Sequence, residues 1–312
     1  MNKRPKLSVY DQVLHMKKNG IRFNLVSEDD AIHYLENNTY FFKIKAYDTL
    51  FEKYQYGEHI GEYVNLDFAY LQDLAIIDMY LRHFLLKAAV DIEHCIKVQL
   101  LRDFNNSTSD GYDIVEEFFL RYPDTKDKIL RKRGSSYCDG LIDKLELEGY
   151  AIWNVIELLS FGDFISLYST FYELYPNCRT GILLTYPMKS IKNLRNAAAH
   201  NNCILDQIQK GSNSAVTKNK KVNSYVSKIR GMQKATRIKC MNRQVLQDFS
   251  TLIYVIDIVL PEGGIKDNLV CDLDWLINTR AIHHADYYKK NNTLVMIYQY
   301  VKLLVDNLKE SR

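Results

Sequence analysis

The residues best suited to chemistry lie in KSIKNLRNAAAHNNCIL, Lys189 to Leu205. Arg195 and His200 frame an R-x4-H pair, and Asn196 directly follows the arginine. Histidine is the side chain whose ordinary pKa falls near neutrality, so it can give and take protons there. Arginine offers a rigid fork of donors that fits a phosphate. The pair therefore suits proton transfer beside a phosphate, although the spacing alone is a weak signal. Met188 to Asn201 reads as one helix, and successive residues on a helix advance by about 100°. Asn196 and His200 then share a face, while Arg195 lies about 140° from His200. The arginine must curl back, or the helix distort, before both meet one phosphate. Ala197, Ala198 and Ala199 carry little bulk and let another helix approach, including one from a second copy of the chain.

Other groups able to do chemistry have blander readings. Asp91 and His94, with Glu93 between them, fit a polar seam on a long helix because no third ligand is near in sequence. His283, His284 and Asp286 can bind metals but lack zinc-like spacing. No metal and no cofactor is expected. Glu157 lies in an otherwise apolar run and calls for a partner, either Arg195 or a nearby lysine. Cys203 follows His200 by three residues and reads as a core thiol. The six cysteines are scattered without a CxxC, as expected of reduced thiols in the cytoplasm.

The elements that must position these groups read as helices. The chain has 312 residues, enough for about two domains or one large one. With only 13 Gly and 5 Pro, it has few breakers. Long uninterrupted elements favour an all-α fold over a turn-rich β-sandwich. Apolar residues recur at three and four from Leu66 to Leu101, with no Gly or Pro between. Shorter helices are expected at 8–19, from Ser27, at 112–121, 124–133 and 141–149, and later at 242–260, 265–278 and 291–309. Ala151 to Tyr175 is the most apolar stretch, with Gly162-Asp163 the expected break between two helices. YFFKIKAY, Tyr40 to Tyr47, alternates aromatic and basic residues and fits a strand or a helix start equally. The N-terminus has no apolar core of a signal peptide, and no stretch approaches a membrane span.

The net charge of +3 hides an uneven distribution. Residues 207–240 hold nine basic residues and no Asp or Glu: Lys210, Lys218, Lys220, Lys221, Lys228, Arg230, Lys234, Arg237 and Lys239. Such a block suits a polyanion such as RNA, or else solubilises a solvated insertion. With Lys43 and Lys45 of the aromatic stretch, these residues form the candidate RNA-contacting set. The 23 tyrosines could stack on bases, but read mostly as core or interface residues with hydrogen-bonded tips.

Several segments together resemble a known family. RNAAAH resembles the R-x4-H signature of HEPN ribonucleases. SVYDQVLHMKKNGI (Ser8 to Ile21) resembles the opening of Abi-like abortive-infection proteins of the AbiD/AbiF type. DDAIHYLENNTYFFKIKAY (Asp29 to Tyr47) is similar to their segment ending Y-Y-R-x-x-x-Y, with Lys43 in place of the Arg. AIWNVIELLSFGDFISLY (Ala151 to Tyr168) resembles their P-x-W-x-x-x-E-x-x-S-F-G block, with Ala151 in place of the Pro. The family usually shows R-N-x-x-A-H-H-N; here Asn201 stands where the second histidine falls. The likeness spans roughly residues 6–205.

The resemblance implies an all-α, HEPN-like bundle. Its expected parts are an N-terminal helical region (1–60), a core with the motif (61–206), the basic insertion (207–240) and C-terminal helices completing the bundle (241–312). It also implies a phage-defence, toxin-like endoribonuclease acting as a homodimer, restrained by an antitoxin such as a small RNA. In that reading His200 moves protons, Arg195 holds the scissile phosphate, and Asn196 orients His200 or the 2′-hydroxyl. The 2′-hydroxyl attacks without a metal, leaving a 2′,3′-cyclic phosphate and a 5′-hydroxyl. The alternative is a catalytically silent RNA-binding protein of the same fold; a third reading is a phage-sensing scaffold.

Overall fold

Two serines open the first two helices. Ser8 Oγ accepts the Asp11 N–H ahead of α1 (Val9–Lys18), and Ser27 Oγ accepts the Asp30 N–H ahead of α2 (Glu28–Asn37). Side-chain capping leaves fewer helix-end donors unpaired, so short helices become tenable. The aromatic-basic stretch forms α3 (Phe41–Ala46) and runs into a 3-10 turn, Tyr47–Leu50. The computed structural model describes residues 5–209 and 219–311. Among them are fifteen α-helices and no sheet, only two isolated bridges.

Helix α4 (Phe68–Asn105) carries the long apolar periodicity and, at 38 residues, is about 57 Å long. It is the spine of the molecule. Smaller helices follow it, α5 (Asp113–Arg121), α6 (Asp124–Leu130), α7 (Asp139–Glu148), α8 (Ile152–Leu158) and α9 (Phe161–Leu174), and the last two reach the end of α4 through Trp153 and Phe171 against Phe104. The break between the last two falls at Leu159-Ser160, not at the expected Gly162-Asp163. Ser160 is the reason: its Oγ accepts the Asp163 N–H, and its hydroxyl donates to the Asp163 carboxylate at 2.6 Å. Gly162 therefore lies in the first turn of α9. Gly111 has a positive φ of 88°, and a Cβ there would sit 2.4 Å from the Trp153 ring. A residue without a side chain is needed for the loop to pass the tryptophan.

Helix α10 (Thr185–Ala199) bears the R-x4-H motif and packs against α4, α9 and α13 (Gln244–Val259). Between the last two in sequence come α11 (Lys220–Ser227) and α12 (Lys234–Met241). These two helices of the basic block bury Val222, Val226, Cys240 and Met241 and pack on α13. Helix α14 (Gly264–Trp275) continues into a wider π-type turn, Leu276–Arg280, and α15 (Asn292–Glu310) closes the chain. Six tyrosines are buried in the core, and most of the others are half-buried or exposed. Tyr47, Tyr168 and Tyr300 are fully buried, and Tyr47 and Tyr300 bond their hydroxyls to Asp78 and Ser250. Among the described residues no helix is long and apolar enough to cross a membrane.

Candidate functional site

Three buried carboxylates of α4 hold the segments on which the motif depends. Asp103 accepts the Tyr172 hydroxyl at 2.6 Å, the Thr180 N–H at 3.2 Å and the Thr180 hydroxyl. It thereby fixes the loop that enters α10. Asp78 accepts the N–H groups of Ile204 and Leu205 at 3.1 and 3.0 Å, fixing the loop that leaves it. Asp78 also accepts the Tyr47 hydroxyl at 2.7 Å and pairs with Arg82. Asp73 accepts the Arg280 guanidinium at 2.7 Å and the Tyr288 hydroxyl at 2.6 Å, tying in the C-terminal part. Burying a carboxylate is costly unless hydrogen bonds satisfy it, and each of these is satisfied by segments far away in sequence.

The end of α10 is shaped as closely as its flanks. His200 caps the helix, and its N–H donates to the Asn196 carbonyl at 2.9 Å. Asn201 adopts a positive φ of 56°. The N–H groups of Asn201 and Asn202 return to the carbonyls of Ala198 and Ala197. This is the Schellman closure, usually built on glycine, and asparagine is among the few other residues that tolerate it. The Lys43 ammonium reaches across from α3 and donates to both the carbonyl and the side-chain oxygen of Asn201, at 3.0 and 2.6 Å. Burial and the nearby Arg82 guanidinium hold the Lys43 pKa below the usual lysine range. Lys43 is only 6% exposed, so this member of the expected RNA-contacting set is spent on the fold.

His200 is exposed and lines a groove of about 1420 Å³ between α3, the end of α10 and the start of α13. That exceeds the usual size of a small-molecule pocket. Exposed Tyr40 and Phe42 stand on its rim, and Phe42 is 80% exposed. Lys45 and His15 also line it, Lys45 bonded to buried Asp48 at 2.6 Å. Gln244 and Asp248 of α13 contribute to the opposite wall. Asp248 is buried, accepts from Gln244 at 2.8 Å and from Ser190, and has its pKa pushed up to about 6 by burial.

The motif's other two residues face elsewhere. Arg195 does not line the groove of His200. Its Nη1 donates to the Asn196 side-chain oxygen at 3.2 Å, so the Asn196 carboxamide meets the arginine rather than His200. Both are half-buried. Glu157 is exposed and forms no ion pair with Arg195 among the described residues. Asp91 and His94 acquire no third ligand, nor do His283, His284 and Asp286: no group of three His, Cys, Asp or Glu is placed to hold a metal ion among the described residues. Cys203 is half-buried, and burial raises its thiol pKa.

Of the basic block, Lys220, Lys221, Lys228, Arg230, Lys234 and Lys239 are exposed. Arg237 instead donates to the carbonyl and side-chain oxygen of Asn223, joining α12 to α11. Lys210 and Lys218 lie outside the described residues. Lys220 and Lys221 share a small surface cleft with Lys189, near the start of α10. Sequence reasoning missed Asp73, Asp78, Asp103 and Asp248. A carboxylate inside an apolar helical pattern is the one signal that was available for them.

Among the described residues the molecule is all-α, with an Arg-x4-His helix clamped beside an aromatic-rimmed groove. The chain belongs to the Abi-like protein family, whose model matches residues 33–206, more than half of its length. The matched span covers α3, the clamped motif helix and the loop held by Asp78. No curated protein and no solved structure matches the chain. Membership in this family points to abortive infection, the defence against phage.

Proposed function

We propose that this Abi-like protein is an endoribonuclease of HEPN type, cutting RNA by attack of its own 2′-hydroxyl. The observation that carries this reading is His200, exposed on a groove too large for a small molecule and rimmed by Tyr40 and Phe42. Exposed aromatic rings stack on bases irrespective of sequence, and a wide groove accepts a strand. His200 transfers the proton of the 2′-hydroxyl or of the leaving oxygen. Arg195, steadied by Asn196, neutralises charge growing on the phosphate. Because Arg195 lies outside the groove of His200, the reading takes the arginine from a second protomer. An antitoxin, RNA included, restrains the enzyme, and the exposed lysines of the basic block are the proposed contact for it.

The test is cleavage of end-labelled RNA in the presence of EDTA. Loss of an acid–base group is expected to cost on the order of 10²-fold or more. His200→Ala and Arg195→Ala should each fall by that much, with products ending in a 2′,3′-cyclic phosphate. Full activity in both variants would refute the assignment. A second reading, an RNA-binding protein without cleavage, is favoured by the separation of Arg195 from His200. RNA bound tightly but left uncut by the wild-type protein selects it.

A further inference from the structure

Behind the groove of His200 lies a second cavity of about 380 Å³. Leu81 and Leu85 of α4, Phe249 of α13, Ile277 of the π-type turn, and Leu294 and Ile297 of α15 line it. Its lining is apolar except for a few groups, and among the described residues only one is charged, Lys289. The Tyr288 hydroxyl is already committed to Asp73 and the Tyr70 carbonyl. Exposed Lys289 and Gln299 line it as donors beside half-buried Tyr298, with exposed Ile282 also in the lining. Lys289 pairs only with Asp286, three residues earlier, and both are well exposed. Such a surface pair is weak and readily exchanges its partner.

We infer that this cavity is a binding site for a single-chain, long-chain carboxylate. The tail fills the apolar space and the head takes Lys289 and Gln299. At the packing density of protein interiors, about 0.75, the volume accepts a chain on the order of 15 carbons. A bulky or polar ligand leaves the walls unsatisfied, whereas a flexible chain with one anionic end matches both the lining and its one cation. The site is also mechanically joined to the groove: Leu194, Ile204 and Val245 line both spaces. Leu194 precedes Arg195, and Ile204 follows the half-buried thiol of Cys203, which itself lines the groove. Occupancy presses on a wall that the two spaces share, so it alters the surface on which His200 stands. None of this depends on the nuclease reading.

The test is calorimetric titration of the full-length protein with sodium myristate, below its micelle concentration. Saturable one-to-one binding is expected, with sodium hexanoate at least about tenfold weaker because most of the buried methylenes are gone. Ile277→Trp, which fills the cavity, should weaken myristate at least tenfold while circular dichroism and melting are retained. Lys289→Glu, at a surface site where folding is not at stake, should weaken myristate several-fold. The proposal is overturned if myristate does not bind saturably, if hexanoate binds as well, or if Lys289→Glu leaves affinity unchanged. Equal binding of tetradecanol overturns the anionic head. The link to the groove is read by the N-ethylmaleimide reaction of Cys203, followed by peptide mass spectrometry. Saturation with myristate should change its rate by about twofold or more. An unchanged rate at saturation overturns the link.

Discussion

At the scale of single residues, Lys43 and Asp248 decide how the motif end is held. Lys43 gives two hydrogen bonds to Asn201, at the turn immediately after His200. Lys43→Met keeps the apolar stem and removes the donors, leaving two acceptors without their partner. That should lower the unfolding free energy by about 1–3 kcal/mol. It should also lower the RNA-cleavage rate, since the turn that carries His200 loosens. Lys43→Arg retains donors and should stay within about 1 kcal/mol of wild type. Urea unfolding of both variants checks the pair. Asp248 supplies a pH dependence with a definite sign. Its folded pKa of about 6 stands above the ordinary carboxyl value of 3.8, so the native state holds the proton more tightly. The contribution to stability therefore falls as pH rises from about 4 to 6, by about 3 kcal/mol in full. Asp248→Asn still accepts from Gln244 and can donate to Ser190. It should raise stability at pH 8 by about 1–3 kcal/mol and do little at pH 4. Urea midpoints of wild type and variant at the two pH values decide it.

At the scale of elements, α4 works as a spine because its interior carboxylates bind segments distant in sequence, the two loops that flank α10 among them. Asp78 illustrates the consequence. Asp78→Ala leaves Arg82 buried without its partner and frees the N–H groups of Ile204 and Leu205. A loss of about 3–5 kcal/mol is expected from breaking a buried pair. Thermal melting should show it, and Asp78→Asn, which keeps an acceptor, should lose less. These clamps also mark the limit of what the chain reveals by itself. Helix α4 was legible because its period of three and four runs without a breaker. The R-x4-H helix was legible from the same period and its alanines. The partners of Asp78 were not, since Ile204 lies 126 residues away and local spacing is silent about such distances. Lys43 looked like an RNA contact because lysines are ordinarily exposed; only tertiary structure brings its ammonium to Asn201. YFFKIKAY stayed ambiguous because alternation fits a strand, while burial of Ile44 and Tyr47 against α4 makes it helical. Ser160, not Gly162, marks the break because it caps the start of α9, and a cap that satisfies helix donors outweighs one flexible residue.

At the scale of the whole molecule, the two chemical groups of the motif are presented on different faces of α10. His200 stands in the groove, and Arg195 lies outside it beside Asn196. In the nuclease proposed above, a site that needs both groups on one phosphate would be completed by a second copy, each chain lending its arginine to the other's histidine. This arrangement makes a prediction that single variants cannot make. A dimer mixed from Arg195→Ala and His200→Ala chains has one site lacking both groups and one site with both intact. Random re-pairing of equal amounts makes half of the dimers mixed, so roughly a quarter of all sites regain the full set. RNA-cleaving activity should rise from near zero in either variant to about a quarter of wild type after unfolding and refolding the two together. If both groups instead act from the same chain, every site in every mixed dimer lacks one of them. Activity then stays at the level of the separate variants, and the arginine must reach His200 by a rearrangement of α10 itself.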